Sequence, residues 1–368
     1  MDEPSEVKVV VSDLHLGTGE GPGRVNPYED FHHDVRLAQW IRHHASGIYR
    51  DRPVEILLNG DILDLLKVPV RGRFVTEITE DIAVDKVRRC LKGHPAVFDA
   101  LGEFLRVPDH RVTWIAGNHD PDLAFPRVQR LIAARLGVDL LPEGPLRFPL
   151  DPFLRLPRGV VVTHGHLFET VNRLDPGHLF LERPDGTRVL NLPPGSRFFS
   201  EVIAPFKAEQ PIVDLVSPLS SLFLWGLVFD MRFTMRLTLR MMQHLLQTRL
   251  RPAWRQDVGT WRTLQIVAEE VALFTDMDRK AVEHLMARPD ISALIVGHSH
   301  NPMIRRLPRD KTYVNTGTWV RMVRLDLRDL GTPNPTTFAR VEYRPVGPPA
   351  VSLLRWRGER KMEEEVLA

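Results

Sequence analysis

Val7-Lys8-Val9-Val10-Val11-Ser12-Asp13-Leu14-His15 is a β-branched run that stops at a carboxylate and an imidazole. Four further runs repeat the design. Val54 to Leu58 stops at Asn59-Gly60-Asp61, and Val112 to Ala116 stops at Gly117-Asn118-His119-Asp120. Val160 to Thr163 stops at His164-Gly165-His166, and Ala293 to Val296 stops at Gly297-His298-Ser299-His300. Short apolar runs bounded by turn residues read as buried strands. Thr312 to Val314, before Asn315-Thr316-Gly317, is a candidate sixth. Apolar residues at helical spacing fill the gaps over Asp34–Tyr49, Asp81–Leu91, Pro95–Val107 and Pro126–Leu136. Strands alternating with helices predict an α/β sheet covered on both sides, with ligand-binding residues at the carboxyl ends of strands.

Working outward, the spacing breaks after His166, and roughly 125 residues precede the next strand, far beyond an ordinary connection. Residues up to Ser200 are rich in Pro and Gly and read as loop. Phe206 to Leu250 is very apolar, and Gly259 to Arg288 returns to a helical pattern. The domain reading is a discontinuous core over 1–170 and 290–350, a helical insertion or lid over 171–289, and a charged tail over 351–368. A terminal helix or frayed end is expected from Arg355. The uncharged run Leu215 to Phe229 is shorter than the ~20 residues that span a bilayer. Arg232, Arg236 and Arg240 follow it. An apolar segment joined to an Arg-bearing helix fits a membrane interface, an apolar lid, a dimer seam or plain burial against the core.

The 368 residues are 43% hydrophobic and 26% charged, which excludes disordered, collagen-like and disulfide-scaffold classes. Basic and acidic residues nearly balance, 49 against 47, which argues against a nucleic-acid partner. The single Cys90 rules out an intramolecular disulfide and a Cys-based zinc site. The start of the chain lacks a signal-peptide pattern. Together these point to a cytoplasmic protein, with a peripheral membrane association as the alternative.

The strand ends supply carboxylates, an amide and imidazoles, with no thiolate. That donor set suits a pair of divalent ions such as Mn, Fe, Zn or Co. In an extended chain, Asp13 and His15 would face the same side, two residues apart. Other features carry less. His32-His33 and His43-His44 read as solvated helix faces. Gly17-x-Gly19-x-Gly21-x-Gly23 lacks a phosphate-loop register and reads as a flexible loop near the rim. His166 is open between a role behind the ligands, substrate contact and plain loop.

The segments Asp13-x-His15, Gly60-Asp61-x-x-Asp64, Gly117-Asn118-His119-Asp120, His164-Gly165 and Gly297-His298-x-His300 resemble the signatures of the calcineurin-like metallophosphoesterases. The resemblance spans roughly residues 7–170 and 290–320. It implies a four-layer α/β/β/α sandwich carrying a helical insertion. It implies two divalent ions, Mn2+ first, with Fe, Zn, Co or Ni as alternatives. Asp13, His15, Asp61 and His300 would hold one ion. Asp61, Asn118, His164 and His298 would hold the other, with Asp61 as the bridge. A shared hydroxide would attack a phosphodiester, pyrophosphate or phosphomonoester. His119, oriented by Asp64, would protonate the leaving oxygen. A nuclease or cyclic-nucleotide phosphodiesterase and a non-catalytic scaffold are the alternatives. The insertion after His164-Gly165 and the opening Ser12-Asp13-Leu14-His15-Leu16-Gly17 are similar to UDP-2,3-diacylglucosamine diphosphatases. This suggests an amphiphilic or lipid-linked substrate, although His119 stands where those enzymes carry Arg. The oligomeric state is left open.

Overall fold

A computed structural model of the chain describes residues 4–21, 23, 25–217, 226, 229–250, 277–324, 336–358 and 362–366. The apolar runs pair as strands because burial on both faces leaves backbone ladders as the way to satisfy their N–H and C=O groups. The strands are β1 (Glu6–Val11), β2 (Val54–Asn59), β3 (His110–Ile115), β4 (Leu146–Arg147), β5 (Leu154–Arg155) and β6 (Val160–Val162). They continue with β7 (Phe180–Glu182), β8 (Arg188–Leu190), β9 (Val216–Ser217), β10 (Ala293–Val296), β11 (Met303–Leu307) and β12 (Lys311–Asn315). The last four are β13 (Val323–Arg324), β14 (Thr337–Tyr343), β15 (Ala350–Gly358) and β16 (Met362–Glu365).

These strands do not form the single doubly covered sheet that strand–helix alternation suggests. They split into a seven-stranded sheet, β16-β15-β14-β1-β2-β3-β4, and a five-stranded sheet, β11-β12-β10-β6-β5. The centre of each is parallel: β1, β2, β3 and β4 in one, and β6, β10 and β12 in the other. Val10, Leu57 and Ile115 of the first sheet pack with Val162, Ile295 and Val314 of the second, all buried. The outer face of the first sheet is covered by α1 (Asp34–His43), α2 (Glu80–Gly93), α3 (Pro95–Leu105) and α4 (Pro126–Leu136), whose buried residues share one cluster with Val9, Ile56 and Val112. The helix Met277–Ala287 covers the second sheet, burying Met277, Ala281 and Leu285 against Leu294, Val296 and Tyr313. Helix, sheet, sheet and helix therefore stack in the four layers implied by the family resemblance.

Several expectations change. Where the tail from Arg355 is described it is strand rather than helix: the end of β15 and β16 extend the large sheet in antiparallel register. Residues 277–287, assigned to the insertion, pack on the core sheet, and the 259–276 part of that pattern lies outside the described residues. Helix α1 ends at His43 instead of Tyr49, because a 3-10 turn over Gly47–Tyr49 follows it. His44 is core, not solvated. Its Nδ1 lies 2.8 Å from the Trp40 carbonyl, and its ring sits against Phe338. The start of the glycine loop is pinned: the buried Glu29 accepts the N–H groups of Gly17 at 3.3 Å and Gly19 at 2.6 Å.

The insertion is mixed rather than purely helical. It opens with the β7–β8 hairpin and continues with helical turns at Pro194–Phe198 and Ala204–Phe206, joined by a π-helical turn over Phe199–Ile203. The helix Met231–Leu250 follows. Residues 218–225, 227–228 and 251–276 lie outside the described residues. Among those described, no helix is long and apolar enough to cross a membrane. Ile295, fully buried between the sheets, is the sharpest probe of this packing. Ile295→Ala should cost about 2–5 kcal/mol through lost burial and an unfilled cavity, read as a lower denaturant midpoint in urea titrations.

Candidate metal centre

The loops after β1, β2, β3, β6 and β10 meet where the carboxyl ends of the two sheets face each other, and they bring together two trios, with a third group of His15, Asp64 and His119 sharing His15. Asp13, His15 and His300 form one, and Asp61, His164 and His298 the other; within each, the donor atoms lie within 4.8 Å of one another. In the first, His15 Nε2 faces His300 Nε2 at 3.2 Å, and Asp13 Oδ1 lies 3.2 Å from His300 Nε2. In the second, His164 Nε2 lies 3.1 Å from Asp61 Oδ2. His164 Nε2 also stands 4.0 Å from Asp13 Oδ1, so the trios adjoin.

Backbone conformation brings these side chains inward. Asp13, His15, Asp61, His298 and His300 all have φ between 51° and 67°. That left-handed region is costly for residues with a Cβ and persists only where the surroundings impose it. Asp13 and His15 therefore reach one site through two left-handed turns, not through the extended-strand alternation expected from their spacing. Glycine supplies the clearance. A Cβ on Gly117 would collide with Asp61 Oδ1, and one on Gly60, at φ 78°, with the His164 ring.

Three of the candidate ligand atoms, Asp13 Oδ1, Asn118 Oδ1 and His164 Nε2, are buried without an aligned hydrogen bond, although His300 and Asp61 stand beside the first and last. Buried polar atoms in proteins are nearly always satisfied, so three orphans converging on one seam call for a shared partner. The remaining atoms are occupied. Asp13 Oδ2 accepts from the Ser12 hydroxyl and, at 2.9 Å, from the His298 N–H. His164 Nδ1 is 2.9 Å from the Asn59 carbonyl, which can only accept; Nδ1 thus keeps its proton and Nε2 faces the seam. Oxygen and imidazole donors with outer hydrogen bonds of this kind fit divalent ions. Asp13, His15, Asp61, Asn118, His164, His298 and His300 would hold them.

Charge is finely balanced. Burial opposes ionisation of Asp61, but His164 and His119 outweigh it and hold the carboxyl well below the usual range. Burial likewise opposes charge on His164, yet Asp61 and Asp13 push its imidazole up to about 10. Asp64 Oδ1 lies 3.0 Å from His119 Nδ1, and Asp64 Oδ2 lies 3.0 Å from His15 Nδ1. Burial depresses His119, but Asp64 and Asp61 raise it above an ordinary histidine.

Some functional neighbours carried no role in the sequence reading. Asp120 ties the second loop to the third by accepting the N–H groups of Asp61, Ile62, Leu63 and Gly117. Burial and the Asp61 charge push it up to about 7. Its place at the end of Gly-Asn-His-Asp, a turn-forming cluster, was the available signal. Glu169 Oε2 sits 2.8 Å from His298 Nε2, and no local pattern marks it. His166 packs behind the ligands, with ring centroids 5.4 Å from His164 and 6.4 Å from His298. Burial, then His164 and His298, hold it well below the usual imidazole value, so it is neutral at pH 7. It lines a small apolar cleft of about 50 Å³ with Trp114, Leu123, Phe148 and Leu179.

No protein-family model and no curated protein matches the chain. Among solved structures, it is similar to a dimetal phosphatase from Danio rerio, at 11% identity and a TM-score of 0.38 over 99% of both chains. A conserved uncharacterized protein from Streptococcus pneumoniae, described as a predicted phosphoesterase, matches at 12% identity and 0.29, covering 100% of this chain and 98% of its own. Vacuolar protein sorting 29 from Cryptosporidium parvum matches at 12% and 0.31 with the same coverage.

With His164 raised to about 10, the ion-free protein carries a proton there at pH 7, and a metal must displace it. Loading with Mn2+ at pH 7 should release about one proton per protein from this group, and affinity should rise with pH toward 10. Calorimetric titration in buffers of different ionisation enthalpy measures both.

Proposed function

We propose that this chain is a two-metal phosphoesterase that hydrolyses a phosphate ester, with Mn2+ as the working ion. The observation that carries the reading is the convergence of seven oxygen and imidazole donors on one seam, three of them with buried, unpaired ligand atoms. A divalent pair bound there supplies Lewis-acid charge and an activated water at neutral pH. Asp61, a member of the second trio, is the proposed shared ligand.

The chain's own groups account for the rest of the cycle. Asp64 accepts the His119 Nδ1 proton and fixes that ring, so Nε2 is the nitrogen available to the substrate. His119 Nε2–H gives its proton to the departing oxygen as the phosphorus–oxygen bond breaks. Asp61 and Asp64 favour the protonated ring, which keeps the acid charged before that step. Hydrolysis of phosphodiesters, pyrophosphates and phosphomonoesters is compatible with this arrangement. The insertion is the proposed site of contact with an amphiphilic or lipid-linked substrate.

Chelator-stripped protein should regain hydrolysis of an aryl phosphodiester when Mn2+ is added. Asp61→Asn should lose bound Mn2+, by elemental analysis, together with turnover; persistent turnover in ion-free Asp61→Asn would remove the two-metal reading. His119→Ala should bind Mn2+ normally and lose roughly 10²–10⁴-fold in kcat with an alkyl leaving group. Its loss should be smaller with nitrophenolate, which departs without a proton.

A further inference from the structure

Two lysines and three aspartates lie buried together behind His15 and His119, joined to both through Asp64. Lys67 Nζ contacts three carboxylates: Asp64 Oδ2 at 2.6 Å, Asp214 Oδ2 at 3.0 Å, and Asp30 Oδ2. Its hydrogen bonds go to Asp30 and Asp214, and Asp64 is held beside it as an ion pair. Lys207 Nζ is used as fully: it reaches Asp30 Oδ1 at 3.0 Å, the Pro211 carbonyl at 2.8 Å, and Asp214 Oδ1. Lys207 and Asp64 are completely buried, and Lys67 nearly so. Burial opposes charge on Lys67, but Asp214, Asp64 and Asp30 overturn it, so the ammonium persists.

The origin of these groups gives the cluster its meaning. Asp64 and Lys67 belong to the core loop after β2, and Asp30 precedes α1. Lys207 and Asp214 come from the insertion. Asp64 ends the chain of contacts, with Oδ1 3.0 Å from His119 Nδ1 and Oδ2 3.0 Å from His15 Nδ1. The insertion also reaches the site directly. Phe199, in the π-helical turn, sets its ring edge-on to His119 at 5.0 Å, and Lys67 lies 5.9 Å from the same ring. The Ser196 hydroxyl donates to the Asn118 carbonyl at 3.0 Å. Isolated π turns recur at functional positions in helices. Buried ion clusters are expensive to assemble and respond strongly to loss of one member, so they suit a device that fixes geometry.

We infer that the Lys207–Asp214 pair of the insertion positions the general acid, acting through Lys67 and Asp64 on His119. Lys207 and Asp214 are positioning residues: neither touches substrate or ion. The inference rests on the phosphoesterase reading for its kinetic test and stands apart from it in its structural one. Without the pair, Lys67 loses one of its two hydrogen-bond acceptors and Asp64 loses its fixed neighbour, so His119 is no longer held toward the leaving oxygen.

The test is Lys207→Met/Asp214→Asn, which removes one charge of each sign and keeps the cluster's net charge. The near-isosteric Asp214→Asn single variant serves if the double variant does not fold. With Mn2+ supplied, both should retain aryl phosphodiester turnover within a few-fold. The ratio of alkyl to aryl kcat should fall at least about tenfold, the signature of a misplaced acid. Equal losses on both substrates, or none, would overturn the inference and leave the pair as an anchor for the insertion. If wild-type protein with Mn2+ hydrolyses neither substrate, the phosphoesterase reading fails by itself. Crystal structures of wild type and Asp214→Asn then decide. His119 Nδ1 moving out of hydrogen-bond range of Asp64 supports the positioning role, and an unchanged contact refutes it.

Discussion

Asp13 and Asp61, two carboxylates removed from water, face a ring of imidazoles across the seam between two sheets. Burying like charges this close is tolerable only with compensating positive charge, because little solvent is left to screen them. In the ion-free protein the compensation comes from His164, raised to about 10. That arrangement leaves buried ligand atoms unpaired. Divalent ions would supply the missing charge and fill the unpaired positions together. The left-handed loop residues, the glycines at contact distance and the hydrogen bonds of Asp120 all serve to keep that seam assembled.

The seam exists because the core is two sheets rather than one. β1, β2 and β3 deliver Asp13, His15, Asp61, Asn118 and His119 from one side. β6 and β10 deliver His164, His298 and His300 from the other. Cross-sheet contacts lock the two rims, among them the Asn59 amide on the Thr163 carbonyl at 3.0 Å and the His298 N–H on Asp13. Strain at the five positive-φ ligands is borne by the inter-sheet core, where Val10, Leu57, Ile115, Val162 and Ile295 are buried. Packing far from the chemistry thus sets the precision of the site.

The insertion is part of the site's wall. Its segment around residues 194–214 contributes a ring against His119, a hydroxyl against the Asn118 backbone and two charges to the cluster around Lys67. A lid that opened freely would have to break buried ion pairs, which is costly. The first part of the insertion is therefore held against the core by these contacts.

Strand identity, the order of the polar loop ends and the ligand residue types were legible in the sequence, because short-range rules govern them. β-branched runs bury and pair, and Gly, Asn and Asp end them. Helix α4 begins at Pro126 and stops at Leu136 as its pattern predicts, with Gly137 left-handed just beyond. Tertiary structure alone decided which strands share a sheet, since Val160–Val162 and Val7–Val11 look alike locally and differ only in their partners. It also turned the charged tail from Arg355 into two strands, by offering β14 an open edge that needed a partner. Contacts between residues distant in sequence, such as Lys67 with Asp214 or Glu169 with His298, leave no periodic trace. They arise from how finished elements meet, and a one-dimensional pattern does not record that.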